Sequence, residues 1–393
     1  MAEQKSTGNG RSKRALRFTY IHLENWRNFT RVDIDLQGRV FLVGPNASGK
    51  SNFLDAIRFL RDIAAVGGGL ATAVHSRGGV SRLRCLAARR YPDIALWVRI
   101  GTDDDPGVWE YELRFSQDNL RRPIIKKERV AQRGQDILVR PDKKEERDPE
   151  RLTQTHLEQV IVNQQFRDVA EFLRSIRYLH IVPQLIREPD RSVGRRNDPY
   201  GGDFLEQIAS MSEKTQKAWL RRIQEALRVA VPQLEDLNLE PDKRGTPHLR
   251  GKYQHWRPRG AWQSEEDFSD GTLRLMGLLW AILEGTGPLL LEEPELSLHP
   301  EVVRYLPQMF ARMQRRVGRQ VIVSTHSSDL LKDDGIGLDE VLLLTPGDEG
   351  TSVQAASEFE EINALLEGGS SLDEAVIPHT RPAKAHQLTL FAR

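Results

Sequence analysis

Alternation and short apolar runs mark the first elements of the chain. Val32, Ile34 and Leu36 alternate with Asp33 and Asp35, and residues 40–43 form an apolar run, so two strands are predicted ahead of a glycine-containing turn. Beyond that turn, Phe53, Ile57 and Leu60 fall at helical spacing across residues 52–61, uninterrupted by glycine or proline until Gly67. Residues 94–100 and 109–115 read as further strands around a turn at Asp103, Asp104, Asp105, Pro106 and Gly107, which predicts an antiparallel subsheet. A charged, proline-bounded stretch at 141–150 predicts an exposed loop or linker. Helical spacing returns at 204–211 and 219–231, where Trp219, Ile223, Ala226, Leu227 and Ala230 share a face and Pro232 closes the helix. The apolar runs 289–291 and 321–324 predict buried strands of a parallel sheet, separated by a helical stretch at 301–316. From 368 to 386 periodicity fades and a flexible tail is expected.

Composition narrows the class. The 393 residues suffice for two or three lobes, and no apolar run reaches the length of a membrane span, so a protein without membrane association is expected. The polar, basic N-terminus has no apolar stretch of a secretory signal, and the single cysteine, Cys85, excludes an internal disulfide framework, which together predict a cytoplasmic protein. Fifty-seven basic residues face 56 acidic ones, a net charge of +1, so the whole-molecule field does not mark a nucleic-acid binder. Two local excesses could face phosphates: Lys5, Arg11, Lys13, Arg14 and Arg17 at the start, and Arg121, Arg122, Lys126, Lys127, Arg129 and Arg133 in the middle.

The strongest chemical signal is Gly44-Pro45-Asn46-Ala47-Ser48-Gly49-Lys50-Ser51, with Asn52 continuing into the helix. Its position between a strand and a helix is that of a phosphate-cradling loop: the glycines let backbone N–H groups turn toward phosphate oxygens, and the helix start adds its dipole. Lys50 is expected to neutralise the β- and γ-phosphates of ATP, and Ser51 to ligate Mg2+. Far along the chain, Leu289-Leu290-Leu291 ends in Glu292-Glu293-Pro294, an apolar strand delivering two acids. Phosphoryl transfer needs one carboxylate for the metal and one for the attacking water, and Glu292 and Glu293 take those roles in that order.

Four motifs in order now resemble a known family. The phosphate loop, the acidic run 292–300, Phe268-Ser269-Asp270-Gly271-Thr272 ahead of an apolar helix, and Ser324-Thr325-His326-Ser327 after a strand are similar to ABC-type ATPases of the RecF/SMC/OLD class. The opening, residues 21–29, is similar to that class as well, and the resemblance extends from Tyr20 to about Thr345. It implies an α/β P-loop NTPase head with mixed and antiparallel sheets and a helical insertion. The expected parts are a basic tail (1–15), an N-terminal ATPase lobe (16–140), a linker with helical insertion (141–262), a C-terminal ATPase lobe (263–367) and a tail (368–393). The resemblance also implies a homodimer around two ATP molecules. In it Ser269 and Gly271 contact the γ-phosphate bound by the other subunit, His326 senses the γ-phosphate, and residues 296–299 line the seam.

Glu292 stands where most ABC ATPases have Asp, and Ser-Asp-Gly-Thr replaces the transporter signature, departures that point to the RecF-like subgroup. No glutamine lid is assigned; Gln164 and Gln165 lie late, and residues 67–82 contain none. About 220 residues separate Ser51 from Ser269, too few for long coiled-coil arms. The stretch after His326 is too short for an appended nuclease domain, so effector chemistry is expected in a separately encoded nuclease or toxin. Gln387-Leu388-Thr389-Leu390-Phe391 resembles the peptide by which replication and repair proteins dock on the sliding clamp, its apolar residues serving as pocket anchors. Three readings follow: an anti-phage ATPase subunit acting on double-stranded DNA and a partner, a clamp-linked repair ATPase, and a nucleotide-gated scaffold with little turnover.

Overall fold

The computed structural model describes residues 15–88, 92–192, 198–255, 261–381 and 387. The chain enters through β1 (Arg17–Trp26), β2 (Phe29–Asp35) and β3 (Arg39–Val43), then the phosphate-loop helix (Lys50–Ala64). Next come β4 (Ile94–Gly101), β5 (Trp109–Gln117), β6 (Pro123–Gln132) and β7 (Gln135–Arg140). The later strands are β8 (Arg177–Leu179), β9 (Leu234–Pro241), β10 (Pro247–Tyr253), β11 (Ala261–Ser264), β12 (Leu289–Glu292), β13 (Val321–Thr325), β14 (Val341–Gly347) and β15 (Gly350–Ala355). They build an antiparallel sheet β2-β1-β4-β5-β6-β7, a small sheet β11-β10-β9, and a mixed sheet β15-β14-β3-β13-β12-β8.

The mixed sheet divides the core. Side chains alternate across a strand, and here each alternation assigns residues to opposite hydrophobic clusters. Val40, Leu42, Leu290, Ile322, Leu342 and Leu344 face the antiparallel sheet and the phosphate-loop helix. Phe41, Val43, Leu289, Leu291, Val321, Val323 and Leu343 face the signature helix (Asp270–Leu283) and the insertion. Burial on both faces explains why these strands read as continuous apolar runs.

Several expectations are refined. The stretch 301–316 is two helices, Pro300–Val303 and Leu306–Val317, the second following Tyr305 and carrying a proline in its first turn. The insertion is not purely helical: the Glu213–Ala230 helix packs on β9 of the small sheet. The charged stretch 141–150 is anchored, because Glu145 is buried against Arg140, which also pairs with the buried Glu128 at 2.7 Å. Within the expected tail, Leu372–Val376 is a capped helix whose Ala375 and Val376 join the core. Residues 388–391 of the clamp-like peptide, and residues 1–14 of the basic tail, lie outside the described residues.

Candidate functional site

Three neighbouring parallel strands deliver the site at their C-terminal ends, where ligands sit in open α/β sheets. β3 ends at Val43 and runs into the glycine loop; β12 ends at Glu292; β13, paired to both, ends at Thr325 ahead of His326. The sequence motifs, hundreds of residues apart in the chain, therefore meet because β13 lies between the other two.

The loop is shaped by close approach. A side chain at Gly44 would fall 2.6 Å from the Leu344 carbonyl oxygen and 2.7 Å from Ser48 Oγ. Gly49 caps the helix with φ of 98°, a left-handed conformation that suits glycine, and a side chain there would collide with Asn28. Pro45 accepts from Ser48 N–H, Asn46 and Ala47 are exposed at the tip, and Ala47 also has positive φ. Asn28 braces the loop from behind: its Nδ2 donates to Ser48 O at 2.9 Å, and its Oδ1 accepts from Asn52 Nδ2 at 2.8 Å.

Lys50 is buried, and its ammonium donates to the carbonyls of Gly44 and Pro45 at 2.9 and 3.1 Å. Burial lowers its pKa to about 8, against the opposing pull of Glu293, Glu292 and Glu295. Ser48 Oγ is buried without a hydrogen-bond partner, an uncompensated cost unless something binds there. The Ser51 hydroxyl donates to Glu292 Oε1, and the Tyr178 hydroxyl donates to Glu292 Oε2.

Glu293 adopts φ of 45°, a strained conformation for a non-glycine residue, while its N–H donates to Ser324 O at 3.0 Å. That turn presents its carboxylate to His326, whose Nε2 lies 3.3 Å from Glu293 Oε1. Burial and then the Lys50 charge hold the His326 imidazole below its ordinary pKa, which favours the neutral ring near pH 7. Glu295 fixes this histidine: its Oε1 accepts from Thr325 Oγ1 at 2.6 Å and His326 N–H at 3.1 Å. Burial raises the Glu295 carboxyl, and its Oε2 has no hydrogen-bond partner.

The signature residues sit elsewhere on the surface. Ser269 is exposed and caps its helix by accepting from Thr272 N–H at 3.2 Å. Gly271 permits close contact with the seam segment, since a side chain there would strike the Ser297 carbonyl. Arg187 donates to Phe268 O and Asp270 Oδ1, both at 2.6 Å, tying the segment after β8 to the signature.

The donor set has the chemistry of a metal-nucleotide site. Ser51 and Glu292 offer hard oxygens, the ligand class Mg2+ takes. Among the described residues no group of three or more His, Cys, Asp or Glu could hold a metal ion. Sequence reasoning missed Asn28, Tyr178, Arg187 and Glu295. Asn28 and Glu295 lie inside the motifs, whereas Tyr178 sits on a three-residue strand with no periodic signal. Gln164 and Gln165 lie in the 3-10 turn Asn163–Phe166, and β8, the strand flanking β12, runs instead into His180.

Residues 39–332 match the family described as "AAA domain, putative AbiEii toxin, Type IV TA system". Among curated proteins, Endonuclease GajA of Bacillus cereus (strain VD045) is 45% identical over 47 residues, 12% of this chain and only 8% of that endonuclease. An SMC head bound to the C-winged helix domain of ScpA superposes with a TM-score of 0.51 at 14% identity, covering 86% of this chain and 97% of that one. An SMC head with an extended coiled coil, bound to the C-terminal domain of ScpA and derived from Pyrococcus furiosus, gives 0.50 at 13% identity over 91% and 100% of the two chains. Among the described residues no helix is long and apolar enough to cross a membrane. The chain belongs to this AAA-domain family and is an ABC-type ATPase of the RecF/SMC/OLD-like class.

Proposed function

We propose that the chain hydrolyses ATP at this site and that ATP-driven pairing of two heads, on double-stranded DNA, controls a separate nuclease or toxin in anti-phage defence. The observation that carries the chemistry is the placement of Glu293: a strained turn sets its carboxylate beside His326, in a site whose lysine is buried. Lys50 and the helix start would bind the β- and γ-phosphates, while Ser51 and Glu292, already hydrogen-bonded to each other, would hold Mg2+. When bound, the cation would supply charge neutralisation on the phosphoryl oxygens. Glu293 orients the attacking water and accepts its proton on a carboxylate oxygen. His326, held by Glu295, donates toward the γ-phosphate, and Ser269 with Gly271 complete the partner subunit's site. The family's toxin–antitoxin description and the short endonuclease match support the defence role over repair.

The test is purification of Glu293→Gln from its host with ATP and Mg2+, compared with Lys50→Ala. ATP-dependent recovery of a nuclease or toxin with Glu293→Gln alone is expected. Recovery of the sliding clamp or repair proteins would overturn effector control.

A further inference from the structure

Glu292 carries one more methylene than the aspartate usual at its position, and a longer side chain has an extra torsion to fix before it can present an oxygen reproducibly. The structure holds that torsion from a neighbouring strand. Tyr178 is the middle residue of β8, which pairs in parallel with β12 so that Tyr178 lies beside Leu290. Since side chains alternate, Tyr178, Leu290 and Glu292 share the face that meets the phosphate-loop helix. There the two oxygens of Glu292 are divided: the Tyr178 hydroxyl donates to Oε2 and the Ser51 hydroxyl to Oε1. Arg58, two turns along the phosphate-loop helix from Ser51, lies over the Tyr178 ring at 5.1 Å from its centroid and fixes the phenol in turn.

We propose that Tyr178 is a positioning residue for the metal-side carboxylate: it occupies the far oxygen of Glu292 so that the near oxygen stays beside Ser51. This rests on the reading of the site as one for Mg2+ and ATP. Hydrogen-bonded partners behind a metal ligand orient it and typically alter metal affinity ten- to a hundredfold when removed. The tyrosine is also the structural counterpart of the departure at 292. Aspartate, one methylene shorter, would withdraw the carboxylate from the phenol, and then the hydroxyl would have nothing to hold.

The experiment titrates ATP into the full chain by calorimetry, with Mg2+ varied and with EDTA in its place, for wild type, Tyr178→Phe, Glu292→Asp, the double substitution and Lys50→Ala. Phenylalanine keeps the ring under Arg58 and removes only the hydroxyl. Expected is about a tenfold rise in the Mg2+ concentration that half-saturates ATP binding in Tyr178→Phe, with ATP affinity in EDTA and the ligand-free melting temperature unchanged. In the Glu292→Asp background the same tyrosine substitution should change the Mg2+ requirement less than about twofold, because the coupled partner is already gone. An unchanged Mg2+ requirement in Tyr178→Phe overturns the inference. So does an equal loss of affinity in EDTA, or a full tenfold effect of Tyr178→Phe that persists in the Glu292→Asp background. If wild type itself binds ATP no better than Lys50→Ala, the nucleotide-site reading fails, and this inference with it.

Discussion

The buried lysine is where the site's electrostatics become measurable. Burial holds the Lys50 pKa at about 8 although three glutamates pull it upward. A lysine with a lowered pKa is charged below that value and loses its proton as pH rises through it. A bound triphosphate favours the charged form, so ATP binding near pH 8 should draw protons onto the protein. Calorimetry in buffers of different ionisation enthalpy should show uptake of about half a proton per ATP at pH 8, falling to about a tenth at pH 7, where the lysine is already charged. Uptake undiminished at pH 7 would place the titrating group elsewhere. Glu293 and Ser297 both keep positive φ on the short segment that leaves β12, so the strain is concentrated where the carboxylate must be aimed.

Elements that carry a contiguous motif were legible in the sequence; elements that exist through distant partners were not. β3, β12 and β13 stand out as apolar runs because both faces of the mixed sheet are covered. The phosphate-loop helix was read from Phe53, Ile57 and Leu60, all fully buried. β8 escaped notice because three residues show no period, and its partner Glu292 lies 114 residues away. Residues 141–150 looked unable to pack for a related reason: the charges that neutralise them come from other elements. Glu128 on β6 accepts from Arg140 at 2.7 Å and from the N–H groups of His156 and Leu157 at 2.8 and 3.1 Å. Removing the shared partner of the buried carboxylates Glu128 and Glu145 leaves both uncompensated, so Arg140→Ala should cost about 3–5 kcal/mol. A clear fall in the thermal midpoint is expected, and a wild-type midpoint would show that the network carries no stability.

For the whole molecule, charge and assembly decide the partners. Much of the basic stretch 121–133 is spent internally: Arg122 pairs with Asp118 and Glu150, Lys127 with Glu112, Arg129 with Glu110 and Asp136, and Arg133 with Asp105. Phosphates would have to compete with those carboxylates, which weakens the expectation that this stretch marks a DNA surface. The signature helix, by contrast, opens on an exposed Ser269 that caps its own helix. Pairing of two heads through that cap predicts that Ser269→Arg binds ATP normally and stays at the mass of one 44.8 kDa chain by light scattering with ATP and Mg2+. Glu293→Gln should double its mass under the same conditions. Dimerisation of Ser269→Arg to the same extent would move the interface away from the signature.

If Glu293 activates water at a metal-nucleotide site, phosphate release must depend on its carboxylate, and comparing that release between wild type and Glu293→Gln decides the matter. Turnover by wild type is expected, with a loss of about 100-fold or more in Glu293→Gln and ATP recovered intact from the substituted protein. Equal rates from the two proteins would mean that Glu293 is not the group that activates water.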